Sequence, residues 1–139
     1  MSVQVDHILI SPAGVFLIET KNWNESSIHN QNLYSPVKQV KRANLALYRI
    51  LNGEISGIKL AIQRHHWGNR KIPIRNLIVF INNRPYEEFQ YVKILTLNGL
   101  LGYVKYFKPC FFKNETQLIA SYLLGITEKK KSYYILRMP

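Results

Sequence analysis

The stretch QVDHILISPAGVFLIETKN, residues 4–22, limits the fold more than any other part of the chain. VQVDHILI (3–10) and VFLIET (15–20) are rich in the β-branched and aromatic residues that fit a pleated, packed surface. SPAG (11–14) supplies a turn, with Pro12 setting φ and Gly14 free to take a positive φ. The second run is apolar at successive positions, which suits a central strand covered on both faces. A two-residue turn centred between Pro12 and Ala13 sets Asp6 directly opposite Glu19, and cross-strand partners share a sheet face. Lys21 joins them because side chains alternate with period two. A type I turn with a bulge would instead shift the pairing by one and separate the two acids. Either way, strands this apolar carry three charged residues that need a reason.

Further along, the polar, Asn-rich KNWNESSIHNQNLYS (21–35) leaves room for one short strand near Ile28. Ser35 as N-cap and Pro36 at the first helical position open a helix, PVKQVKRANLALYRIL, which Asn52 and Gly53 stop. Residues 58–74 are ambiguous. RNLIVFIN (75–82) reads as a second buried strand, YVKIL (91–95) as a short one, and LNGLLGYVKYF (97–107) as a helix weakened by two glycines. Asn114 and Gln117 have capping-box spacing before a last helix that ends at Gly125. This order implies an α/β fold with a mixed sheet flanked by helices. The domain is set at residues 1–125, and 126–139 is left as a basic tail of unassigned state, mobile around Lys129–Lys131.

A length of 139 residues suits one domain with one core, and 47% hydrophobic residues argue against disorder. Nineteen Lys and Arg against eight Asp and Glu give a net charge of +11, which favours polyanions, nucleic acid above all. The lone Cys110 forms no internal disulfide and fits a reducing cytoplasm, as a buried small hydrophobe. No apolar run has the length of a membrane helix, and no signal-peptide pattern opens the chain.

Two carboxylates held side by side repel, and one tends to take up a proton. A bound divalent cation removes the conflict. Oxygen-only donors suit Mg²⁺ or Mn²⁺, with Asp6 and Glu19 as ligands and the Thr20 backbone carbonyl as a further oxygen. Lys21 beside them would steer a water or counter charge on a phosphoryl oxygen. At about 4 Å and an effective dielectric near 20, such a charge pair is worth about 4 kcal/mol. A plain Glu19–Lys21 surface ion pair, worth at most about 1 kcal/mol, is the competing account.

D…ExK across a hairpin is the core of the PD-(D/E)XK nuclease superfamily, and VDHILISPAGVFLIETKNW resembles the nuclease-related domain within it. The likeness continues through SPVKQVKRANLALYRIL, IPIRNLIVFIN and, more loosely, the last helix, covering most of residues 3–125. It implies a restriction-endonuclease-like fold and Mg²⁺-dependent hydrolysis of DNA phosphodiesters. It also implies that Asp6 and Glu19 hold the metal, that Lys21 is the catalytic lysine and that Gln39 is an active-site polar residue. Gln39 lies in the first turn of its helix, where it would offer an amide to a phosphate or stand as an ordinary solvated residue. Family members usually have a preceding helix and strand, with an acid on the helix. The sequence begins at Met1, so the resemblance implies a sheet lacking that helix and strand, a site short of one acid with weakened or lost activity, and an exposed edge open to self-association.

Basic residues supply candidate phosphate contacts: Lys38, Lys41 and Arg42 on the helix, and Arg64, Arg70, Lys71 and Arg75 before the second buried strand. Trp23 would stack on a base or cap the hairpin. His7 should point away from Asp6 and pack. His65, His66 and Trp67 lack the spacing of a zinc site. The expected function is therefore a cytoplasmic, metal-dependent deoxyribonuclease. A degenerate fold that binds nucleic acid without cutting, or a partner-docking module of a DNA-processing protein, is the alternative.

Overall fold

A computed structural model describes residues 2–23, 34–53, 70–130 and 133–137. The strands are β1 (Ser2–Val5), β2 (His7–Ser11), β3 (Gly14–Lys21), β4 (Ile74–Phe80), β5 (Val92–Thr96), β6 (Thr127–Lys129) and β7 (Tyr134–Arg137). The helices are α1 (Tyr34–Asn52), α2 (Leu97–Tyr106) and α3 (Lys113–Gly125).

The turn takes the two-residue form. His7 pairs with Ile18 and Ser11 with Gly14, an antiparallel register that sets Asp6 opposite Glu19. Gly14 has φ +135°, and a Cβ there would meet Arg75 Nη1 at 2.8 Å, so both backbone and space require glycine. β3 then pairs in parallel with β4, and β4 with β5, giving the order β2-β3-β4-β5. Parallel strands buried on both faces read as continuous apolar runs, as Val15–Ile18 and Leu77–Phe80 do.

Period-two alternation splits those runs between two cores. Val15, Leu17, Ile78 and Phe80 face Val40, Leu47 and Leu51 of α1, with Ile119 and Leu123 of α3 in the same cluster. Phe16, Ile18, Leu77 and Val79 face the other way, against Leu100, Tyr103 and Val104 of α2. The result is a restriction-endonuclease-like α/β arrangement, a mixed four-stranded sheet between helices. α1 is pinned at its end by Asn52, which donates from Nδ2 to Ile72 O and accepts from Ile72 N–H. Among the described residues, no helix is long and apolar enough to cross a membrane.

Several expectations change. The strand expected over 3–10 is two strands, broken at Asp6, because β1 leaves the four-stranded sheet to pair with β7. The supposed tail is folded: β6 and β7 form a hairpin, and β7 lies along β1. Tyr134 and Ile135 are of the residue types that such pairing favours, and β7 occupies one side of β1. The outer edges of β1 and β6 in one sheet and of β2 and β5 in the other have no strand partner among the described residues. The last helix starts earlier than its expected box at Asn114 and Gln117. Glu115 instead reaches back and accepts from Phe112 N–H at 2.7 Å. His7 is exposed rather than packed, and Cys110 is half-buried. The short strand near Ile28, Arg64 and the His65–Trp67 cluster lie outside the described residues.

Candidate active site

β3 emerges from the core at its last three residues. Val15, Leu17, Glu19 and Lys21 share one face by alternation, so the two charges continue the line of side chains that α1 covers. Glu19 is only 7% exposed, and Lys21 is half-buried.

Asp6 occupies the break between β1 and β2. Where β1 departs, the ladder no longer brings a backbone carbonyl to Thr20 N–H. The Asp6 carboxylate takes that place: Oδ2 accepts from Thr20 N at 3.0 Å and from Thr20 Oγ1 at 3.1 Å. These bonds orient Asp6 and offset the cost of the broken ladder. N–H and C=O of one strand residue point to the same side, so the Thr20 carbonyl faces Asp6 too. Lys21, one residue on, directs its carbonyl the other way, where it accepts from Ile81 N at 2.9 Å.

Glu19 is caught between its neighbours. Its pKa is pushed up to about 7, first by burial and then by the Asp6 carboxylate, against the weaker pull of Lys21. Lys21 Nζ stands 3.6 Å from Glu19 Oε1. The ion pair is thus real, but it does not settle the electrostatics, because the protein holds two acids against one base. Opposed carboxylates with a strand carbonyl on the same side are a hard-oxygen donor set, which fits Mg²⁺ or Mn²⁺. Among the described residues no third His, Cys, Asp or Glu joins them. Mg²⁺ typically uses one or two protein carboxylates.

Gln39 of α1 is half-buried and lines a narrow crevice with Gln4 and Glu19. It also opens onto a cleft of about 360 Å³ bordered by Ser35, Lys38 and Arg42. Lys41 is exposed on the same helix. Four of the polar or basic residues expected near the acids therefore lie on one helix beside them.

Others lie elsewhere. Trp23, two residues past Lys21, packs edge-on against Phe80 of β4 with ring centroids 5.1 Å apart. Arg70 and Lys71 are exposed just before β4. Since β3 and β4 are parallel and Lys21 lies opposite Phe80, these two are at the far end of the sheet, roughly 20 Å away along the strands. Arg75 is committed to the fold: it donates to Ala13 O at 3.1 Å and covers the Phe107 ring at 3.8 Å.

The family model of the nuclease-related domain (NERD) matches residues 1–81 of the 139. The chain belongs to this family. Searches of curated proteins and of solved structures returned no match. The nuclease-related match spans β1 to the end of β4, and so contains Asp6, Glu19, Lys21 and Gln39; β5, α2, α3 and the terminal hairpin lie beyond it.

Two participants escaped the sequence reading. The Thr20 hydroxyl and N–H hold Asp6, and Gln4 lines the crevice beside Gln39. The first was signalled by an aspartate in a strand pattern, where the residue type is disfavoured. Nothing local marks Gln4.

Proposed function

We propose that this nuclease-related domain is a metal-dependent nuclease that hydrolyses DNA phosphodiester bonds. The observation that carries the proposal is the placing of Asp6 opposite a buried Glu19, whose pKa is raised to about 7 first by burial and then by the Asp6 carboxylate, with Lys21 Nζ 3.6 Å from Glu19. A purely structural hairpin gains no stability from that conflict. Asp6, Glu19 and the Thr20 carbonyl would hold Mg²⁺ or Mn²⁺, which when bound polarises a phosphate and lowers the pKa of water.

The protein's own groups do the rest. Thr20 fixes the Asp6 carboxylate. Lys21 brings a positive charge to the position where a phosphoryl oxygen gains negative charge. Gln39 offers an amide to the attacking water or to a phosphate, and Lys38, Lys41 and Arg42 anchor the backbone on either side without reading sequence. The lone cysteine supports a cytoplasmic setting.

Incubation of the protein with plasmid, short duplexes and single strands in Mg²⁺, Mn²⁺ or EDTA tests this. We expect cleavage only with metal and its loss in Lys21→Ala. Activity that persists in EDTA, or in Lys21→Ala, rules the mechanism out. That only two carboxylates meet among the described residues favours a second reading, a binding module that does not cut. Salt-sensitive binding without cleavage would select it.

A further inference from the structure

A second cleft lies at the other end of the sheet, outside the hairpin site. It has a volume of about 730 Å³ and is lined by Tyr48 of α1, Tyr91 before β5 and Tyr103 of α2, with Lys71 and Lys93. Volumes of about 300–1,000 Å³ are usual for ligand sites. None of its described lining residues is acidic.

Tyr91 is the anomaly. Its φ is +67°, a left-handed conformation that favours glycine or asparagine. Its side chain is 75% exposed, so the ring is not kept there for packing. Strain retained without a packing return points to a functional position. Behind it Asn76, 8% exposed, donates from Nδ2 to Tyr91 O at 3.2 Å. Asn76 Oδ1 has no donor among the described residues, which leaves an unmet acceptor in a residue lining the cleft.

α1 joins the two sites. Its sequence has no acidic residue, and Lys38, Lys41, Arg42, Leu45, Tyr48 and Arg49 are all exposed. At 3.6 residues per turn these positions fall within about a third of the helix circumference. Lys38 and Arg42 border the cleft beside Gln39, and Tyr48 borders the distant one, about 15 Å further along the axis. A cationic stripe with aromatic rings at one end is the arrangement that tracks a single strand, phosphates on the charges and bases on the rings.

We propose that the tyrosine-lined cleft is a second nucleic-acid subsite that takes an unstacked base of a single-stranded segment, with its phosphates on Lys71 and Lys93. The choice of ligand rests on the nucleic-acid reading of the hairpin site. The subsite itself does not need that site to cut.

The test is fluorescence anisotropy in EDTA with a labelled single-stranded oligonucleotide and its duplex. Variants are Tyr48→Ala, Tyr91→Gly, Lys71→Ala with Lys93→Ala, and, as the control, Gln117→Ala at an exposed position of α3 outside both sites. Tyr91→Gly suits the positive φ, and unfolding curves check that it folds. We expect the single strand to bind more tightly than the duplex. Each tyrosine variant should weaken it about 5- to 100-fold, and the double lysine variant should flatten its salt dependence, while Gln117→Ala binds within about twofold of wild type. Equal affinity for duplex and single strand, or tyrosine variants that bind like wild type, would overturn the subsite. Binding with these losses but no cleavage under any metal sinks the nuclease reading and leaves the subsite standing. No binding of either oligonucleotide, or preference for an acidic peptide, removes it.

Discussion

Two charged residues on neighbouring strands, Arg75 and Glu19, are held in opposite ways. Arg75 is tied into the fold: its guanidinium donates to Ala13 O and covers the Phe107 ring at 3.8 Å. The turn beside it is sealed as well, since Pro12 O accepts from Cys110 N and Phe111 N. Glu19 is nearly as enclosed as a core residue, yet it faces a second carboxylate and one lysine, and its pKa rises to about 7. One end of the hairpin closes its electrostatics within the fold, and the other leaves them open. The difference separates a charge kept for architecture from charges kept for a ligand.

Single substitutions should pull the two ends apart. Lys21→Ala should lower metal-dependent cleavage about 100- to 1,000-fold, with little change in unfolding. Arg75→Ala, although its side chain also borders the tyrosine-lined cleft, should lower cleavage per folded molecule far less than Lys21→Ala does; cleavage assays on protein titrated for its folded fraction check both, and equal losses would erase the contrast.

The next effect is on stability against pH. In metal-free protein, between the ordinary value of 4.5 and about 7, folded Glu19 holds a proton that the unfolded chain has released. Stability therefore falls as pH rises through that window, by up to about 3 kcal/mol. Urea unfolding in EDTA should show wild type losing ground to Glu19→Gln between pH 5 and pH 8. Parallel curves for the two proteins would mean that Glu19 is not under the stress described.

Arg75→Ala should cost about 2 kcal/mol, from the lost ring contact and hydrogen bond, read from the same unfolding curves at pH 7. Smallest is Thr20→Val. It keeps the N–H bond to Asp6 and loses the hydroxyl one, for about 1 kcal/mol and a few-fold weaker hold on Mn²⁺.

Much of the open end was legible in the chain. The SPAG turn announced the hairpin and left two registers open, one of which sets Asp6 opposite Glu19; alternation put Glu19 and Lys21 on one face, and Pro36 announced the helix that carries Gln39. What stayed hidden was set by distant partners. Asp6 breaks its strand because β7, more than a hundred residues on, captures β1. The hairpin β6–β7 looked like a tail because its lysines mask a short β-favouring run. Arg70 and Lys71 read as neighbours of the site because parallel pairing, which sends the start of β4 to the far end, is invisible in local pattern. The tyrosine-lined cleft gathers residues from α1, β5 and α2, and no window of sequence contains it.

The central claim is that Asp6 and Glu19 together hold one hard cation. Calorimetric titration with Mn²⁺, at a pH above 7 so that Glu19 has released its proton, tests it directly. The account predicts one site in the wild type and its loss in both Asp6→Asn and Glu19→Gln, with Arg75→Ala unaffected. Binding of equal strength in wild type and Asp6→Asn would contradict it.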